Sequence, residues 1–201
     1  MNPSSLPELA LLTQEPAARR TLEASRAVLV VIDIQEKLLP AVERQDELVR
    51  NSQLLIRLAH VLEIPVVATT QYARGLGATV APIAELLPGV TPVDKTEFGC
   101  FGQEKFRDAL RSLPGHRTTL LLCGMESHIC VLQTALGGLE SGYLVHVAAD
   151  AVSSRTALNW QLGLERMKDA GCVISSTEMM MYELLRQSGT KAFKEMLQYI
   201  K

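Results

Sequence analysis

The chain has 201 residues, 47% of them hydrophobic, with 20 lysines and arginines against 22 aspartates and glutamates. That length suits one well-buried core and would squeeze a second below the usual domain size, so a single domain over 1–201 with an N-terminal extension over 1–26 is expected. A formal net charge of −2 without long runs of either sign gives no reason to expect a nucleic-acid or anionic-membrane partner.

The first 26 residues hold only the short apolar patch LPELALL, unlike a signal-peptide core, and AVLVVIDI is too short to span a bilayer. A soluble cytoplasmic protein is expected. Cys100, Cys123, Cys130 and Cys172 are scattered, with no C-x-x-C pair and no Cys/His spacing of a structural zinc site. In a reducing compartment they are expected to be free thiols.

Ala27 to Ile32 (AVLVVI) is a β-branched apolar run ending at Asp33, the pattern of a parallel strand covered on both faces. From Asp46 to Leu62 the residues Leu48, Leu55, Leu58, Ala59 and Leu62 share one helical face. Pro65 marks the exit. IPVVATT reads as a second strand leading into the glycine-containing loop QYARGLGAT, and TPVDKT as a short third strand ending near Lys95. TTLLLCG, LVHVAAD and CVIS complete six strands, with helices between them from Ser127 to Glu140 and from Ser154 to Ala170. The tail reads as helical from a Thr177 N-cap, with a break at Gly189.

Strands alternating with helices imply an open parallel sheet sandwiched by helices, because right-handed crossovers bury both faces. Sites in such sheets collect beyond the carboxyl ends of the strands. The first strand ends in Asp33, the third in Lys95, and the fourth runs into the segment carrying Cys130. Taken singly, a buried cysteine, a strand-end aspartate and a lysine beside Asp94 all have structural explanations. Together they make chemical sense.

A thiol near its reference pKa of about 8.5 is only a few per cent thiolate at pH 7. Ser127 as a helix cap would put Cys130 in the first turn, where the macrodipole contributes only about 0.3–1 kcal/mol. An ammonium about 4 Å away is worth roughly 4 kcal/mol at an effective dielectric of 20, about three pKa units before desolvation. Lys95 is therefore expected to activate the thiol, and Cys130 to alkylate selectively well below pH 8. Asp33 is expected to accept its proton and return it to a leaving group. Backbone N–H groups near the nucleophile suit a tetrahedral oxyanion.

VVIDIQ at 30–35, DKTEFGCF at 94–101 and GMESHICVLQTALGGLESGY at 124–143 resemble, in order and spacing, the isochorismatase-like cysteine hydrolase superfamily. The likeness runs from about Ala27 to Leu185. TTQYARGLGATV at 69–80 further resembles the isochorismatase-domain-containing subgroup, with Ala73 where a proline is common and Glu63 where a glycine is.

The resemblance implies an α/β fold, a three-layer α/β/α sandwich around a Rossmann-like six-stranded parallel sheet. It implies a catalytic triad of Asp33, Lys95 and Cys130, a cis Met125–Glu126 peptide, and an oxyanion hole from the N–H groups of Glu126 and Cys130. Gln35, Gln71, Phe98 and His128 are candidate substrate-binding residues, and loops around Gln71, Phe98 and Phe101 are expected to shape the pocket.

Nicotinamidases of the superfamily hold a metal through an Asp-x-His motif and a further histidine near the region of Thr69 to Tyr72. Here that motif is missing and His60, His116, His128 and His146 are dispersed. No metal and no cofactor are expected. GLGATV follows the second strand rather than the first and lacks the third glycine of a dinucleotide fingerprint.

Three functions remain to be weighed. The leading one is hydrolysis of an amide or related acyl carbon of a small molecule through Cys130. The second is enol-ether hydrolysis of the isochorismatase type, whose enzymes often lack the cysteine. The third is an oligomeric interaction protein with a vestigial site. The superfamily's relatives are commonly dimers or larger closed assemblies, so a homo-oligomer is expected, and the apolar run Met179–Tyr182 suits subunit contact.

Overall fold

The computed structural model describes residues 21–200. Residues 1–20 of the predicted extension lie outside the described residues; of the remainder, Leu22 is buried against the domain.

Strand β1 (Ala27–Ile32) is wholly buried and central. Its alternation divides the core: Ala27, Leu29 and Val31 face one apolar layer, and Val28, Val30 and Ile32 face the other. An apolar residue at every position is what a parallel strand covered on both faces requires. Helix α1 (Gln45–Val61) packs Leu48, Leu55, Ile56, Leu58 and Ala59 onto the first layer. The chain continues through β2 (Val66–Gln71), the helical turns α2 (Ala73–Leu76) and α3 (Ala81–Ala84), and β3 (Val93–Lys95).

Helix α4 (Glu104–Arg111), too short to stand out from its periodicity, leads to β4 (Thr119–Met125). A π-helical turn, Ser127–Val131, enters α5 (Leu132–Glu140), followed by β5 (Leu144–Ser153), α6 (Ala157–Asp169), β6 (Val173–Ser175), α7 (Thr177–Leu185) and α8 (Lys191–Met196).

The six strands are all parallel, in the order β3-β2-β1-β4-β5-β6. The chain winds outward from β1 to β3, then returns to pair β4 with the other side of β1. A crevice therefore opens beyond the carboxyl ends of β1 and β4, the topological switch point of a doubly wound sheet.

Three local expectations are corrected. Ser127 does not cap a helix: the N–H groups of Ile129 and Val131 both donate to the Glu126 carbonyl, which leaves the Ser127 hydroxyl buried without a protein partner. Helix α6 begins at Ala157 rather than Ser154, because β5 runs on to Ser153 and Thr156 is the cap, accepting from the Asn159 N–H. Ser176, not Thr177, caps α7; the Thr177 N–H and hydroxyl both donate to Asp150 Oδ1.

Gly124, late in β4 with φ 123°, lies so close to β1 that a β-carbon would overlap the Ile32 carbonyl oxygen. Only glycine permits that approach, and it sets the crevice wall, since Ile32 directly precedes Asp33. Gly124→Ala is expected to cost about 3–5 kcal/mol, from overpacking together with a β-carbon at positive φ. Equilibrium denaturation checks this, and a loss under about 1 kcal/mol would contradict the packing described.

Candidate active site

Asp33 leaves β1 in a left-handed conformation, φ 52°, which aspartate tolerates better than most residues. Its N–H donates to the Thr69 carbonyl at 3.2 Å, and the Thr69 hydroxyl donates to Asp33 Oδ1 at 2.7 Å. The other carboxylate oxygen, Oδ2, accepts from Lys95 Nζ at 2.7 Å, and both side chains are fully buried.

An ammonium has three donors, and here all three are used: beside Asp33, Lys95 donates to Gln71 Oε1 at 2.7 Å and to the Phe98 carbonyl at 3.2 Å. Burial, the largest single influence, would favour the neutral amine, but the Asp33 carboxylate together with Cys100 and Cys130 holds Lys95 above its ordinary value.

Gln71 ends β2 and links the components. Its Nε2 donates to the Thr96 carbonyl at 2.8 Å, which aims Oε1 at Lys95; Cys130 Sγ lies 4.0 Å from the same oxygen. Gln35 sits one layer back. It accepts from the Gln71 N–H at 2.7 Å and donates to the carbonyls of Gln71 and Gly77 at 3.1 and 2.8 Å. Its whole amide is engaged with backbone, so the expectation that Gln35 binds substrate is replaced by one of support.

Cys130 stands on the π-helical turn after β4 and is 6% exposed. Burial first, and then the Asp33 charge, push its thiol up to about 12, while Lys95 acts in the opposite direction without prevailing. This corrects the expected thiolate: Lys95 is bound to Asp33 and Gln71, not free to pair with sulfur. Cys100, Cys123 and Cys172 are buried free thiols too, pushed up to about 11, 12 and 12 chiefly by burial. Cys100 also reaches the cluster, its Sγ 3.9 Å from the Thr69 hydroxyl, but it is fully enclosed; Cys130 is the thiol beside Gln71 Oε1.

The remaining candidates separate. Phe98 is 54% exposed, and it joins the cluster through its carbonyl. Phe101 packs edge-on against Phe106 at 5.2 Å, within the apolar layer that includes α4 and α5, rather than shaping the crevice. His128 turns Nδ1 to Ser154 Oγ at 3.0 Å.

The peptide Met125–Glu126 is cis. Among the described residues, no protein group accepts from the Glu126 N–H. The Glu126 carboxylate is buried and receives Arg155 Nε at 3.0 Å, Arg155 Nη2 at 2.6 Å and the Arg155 N–H at 3.1 Å. Burial would raise this carboxyl, but the Arg155 bonds together hold it below the usual carboxylate value.

Thr69 and Arg155 escaped the sequence reading. Thr69 stands at the carboxyl end of the apolar run IPVVATT, where sites in such sheets collect, which was the available signal; Arg155 carries no local signal.

Among the described residues, no group of three His, Cys, Asp or Glu side chains is arranged to hold a metal ion, and no helix is long and apolar enough to cross a membrane. A cavity of about 620 Å³ between α1 and α7 touches none of the clustered residues. The helix start facing it is already capped by Asp150 and Ser176. The clustered residues lie instead at the switch point, apart from that cavity.

Residues 27–179 match the family model for the isochorismatase domain. The chain is 38% identical over 178 residues to the secreted isochorismatase effector Isc1 of Phytophthora sojae, covering 87% of this chain and 84% of that one. It is 35% identical over 187 residues to isochorismatase domain-containing protein 2 of Pongo abelii, covering 92% and 88%. Among solved structures, one described as the MAR1 ribonuclease of Caenorhabditis elegans superposes with a TM-score of 0.83 at 35% identity, covering 90% and 92%. The fold is shared by YcaC of Escherichia coli, TM-score 0.83 at 22% identity over 89% and 90%, described as an octameric hydrolase of unknown specificity. The chain belongs to the isochorismatase family of hydrolases.

Two outcomes follow from the electrostatics. Asp33→Asn removes both the like charge beside the sulfur and its proton acceptor, so the pH at which Cys130 alkylation reaches half its limiting rate is expected to fall by about one unit, read by mass mapping after iodoacetamide across pH. A midpoint unchanged or moved upward would refute the assigned charge coupling. For Glu126, a carboxyl lowered by folding contributes stability above its unfolded value of about 4.3 that is lost as pH falls through the folded value. Arg155→Ala should thus cost roughly 1–2 kcal/mol at pH 7, allowing for the exposed guanidinium, and progressively less below about pH 4, measured by denaturation at both pH values.

Proposed function

We propose that the chain is a metal-independent cysteine hydrolase acting on an amide or related acyl carbon of a small molecule. The observation that carries this reading is the meeting of strand-end residues around one side-chain amide: Gln71 Oε1 is shared by Lys95 Nζ at 2.7 Å and Cys130 Sγ at 4.0 Å, and Lys95 is ion-paired with Asp33.

Because the resting thiol is protonated, attack and deprotonation are coupled. As Sγ bonds to the carbonyl carbon, its proton passes to Asp33 and the carbonyl π pair moves to oxygen. The N–H groups of Glu126 and Cys130 receive that oxyanion. Collapse breaks the C–N bond, and Asp33 returns the proton to the departing nitrogen. Water, deprotonated by Asp33, then attacks the thioester; the C–S bond breaks and the thiol regains a proton as the acid leaves. Lys95 stays paired with Asp33 and compensates the carboxylate each time its charge returns.

Enol-ether hydrolysis is the second reading, favoured by the name of the Phytophthora relative. It would use Asp33 as an acid donating to carbon. A carboxylate ion-paired at 2.7 Å is better suited to accept a proton than to supply one. Polymer cleavage, the activity in the name of the C. elegans protein, fits less well: Asp33, Lys95 and Cys130 are each nearly enclosed, and acidic residues outnumber basic ones.

The reading includes one hydrolase domain, a cytoplasmic site of action where the four free thiols stay reduced, and a homo-oligomer. Leu158 and Leu162, one turn apart on α6 and 63% and 52% exposed, support subunit contact.

A panel of small primary amides, isochorismate and a labelled RNA separates the readings. Wild type is expected to release ammonia from at least one amide, Cys130→Ala to lose more than about 10³-fold of that rate, and RNA to stay intact. Isochorismate turnover that survives Cys130→Ala would instead establish enol-ether chemistry.

A further inference from the structure

The connection from β5 to α6 grips the segment that precedes the nucleophile. Its strongest hold is Arg155, whose guanidinium forks across both carboxylate oxygens of Glu126 while its own N–H donates to one of them. Ser154 adds a second link through Oγ to His128 Nδ1 at 3.0 Å, and its carbonyl accepts from the Glu43 N–H at 2.9 Å, tying the connection to the segment before α1. From the far side, Gly163 of α6 lies so close that a β-carbon would sit 3.0 Å from the Ser127 backbone. Glu126 and His128, on either side of Ser127, are thus both held by the adjacent residues Ser154 and Arg155.

A surface salt bridge between two flexible side chains would count for little. This one differs: the carboxylate is buried, the Arg155 pairing is two-pronged, and no other protein donor to the Glu126 carboxylate occurs among the described residues. A fork of this kind sets orientation as well as distance. Because Glu126 carries on its own backbone the N–H assigned to the oxyanion, fixing its side chain fixes the direction of that donor.

We propose that Arg155 is a positioning residue for the oxyanion site, acting through Glu126 rather than by touching substrate. The inference rests on the reading of Cys130 as a nucleophile toward carbonyl carbon. It assigns to a half-exposed arginine, 56% accessible and remote in sequence from the triad, a share of transition-state stabilisation.

The test compares two probes of the same sulfur. A small aliphatic aldehyde adds reversibly: the S–C bond forms, the carbonyl π pair moves to oxygen and the thiol proton passes to Asp33, which leaves that oxygen anionic, so the adduct's affinity reads the oxyanion donors. Iodoacetamide alkylates the thiol with loss of iodide and develops no oxyanion. In Arg155→Ala the aldehyde adduct is expected to weaken at least about tenfold while the iodoacetamide rate at pH 9 stays within about twofold.

Arg155→Lys, which keeps the charge but loses the fork, should weaken the adduct about three- to tenfold, and it serves if the alanine variant does not fold. Glu126→Gln, whose amide leaves a single acceptor oxygen and so also loses the fork, should weaken the adduct by a similar factor. Where an amide is turned over, kcat should fall in Arg155→Ala with KM nearly unchanged.

Equal weakening of both probes, or an adduct as tight in a folded Arg155 variant as in wild type, would overturn the proposal. Absence of any Cys130 adduct in wild type would overturn instead the nucleophile reading beneath it.

Discussion

The structure of this site depends on one buried ion pair. Lys95 and Asp33 come from strands separated by β2, and each would be costly to bury alone. Paired at 2.7 Å, with the remaining Lys95 donors satisfied by Gln71 and the Phe98 carbonyl and the second Asp33 oxygen by Thr69, they form a closed hydrogen-bond set. Removing one partner of such a pair generally costs about 3–5 kcal/mol, because a lone charge is left in the interior. The pair therefore constrains the ends of β1, β2 and β3 to a common geometry, and the sulfur meets a charge arrangement already in place.

That arrangement decides how a thiol can react. Burial and the Asp33 charge push the Cys130 thiol up to about 12, so a preformed thiolate is disfavoured at neutral pH. Charge repulsion from Asp33 contributes to this, yet in the proposed reaction Asp33 is also the acceptor that makes a free thiolate unnecessary. In the proposed reaction the proton leaves as the bond to carbon forms. Lys95 serves this chemistry indirectly, by compensating the carboxylate rather than the sulfur.

Around this centre the fold supplies rigidity in layers. Gln35 uses its entire amide to hold Gln71 and the turn at Gly77, and Gln71 in turn aims its oxygen at Lys95. On the opposite side of the crevice, Gly124 lets β4 approach β1, and the residues after β5 hold Glu126 and His128. Groups on the two sides belong to different halves of the doubly wound sheet. Their separation is therefore set by β1–β4 pairing, the contact at which the winding reverses.

Much of this was legible in one dimension. The unbroken apolar run Ala27–Ile32, the one-sided helix from Asp46 and the later strand runs marked the α/β alternation, and five strands lie within two residues of their expected bounds. Asp33 and Lys95 could be read as strand-end residues, and Cys130 as following a strand, because periodicity ends where a strand ends. Three features could not be read that way. The Ser127 cap failed because the Glu126 carbonyl took the donors; Gln35 proved to be support because both its donors and its oxygen meet backbone; and Arg155 meets Glu126 across 29 residues.

Hydrophobic period and residue chemistry along the chain thus determined the layers, the strand ends and the candidate groups of the site. Tertiary structure alone decided that Lys95 has no donor to spare, that burial and Asp33 push the Cys130 thiol up, and that Gln35 supports the cluster from behind. The reason is physical: protonation and hydrogen-bond saturation depend on distance and burial, and these are set by segments that local sequence pattern does not connect.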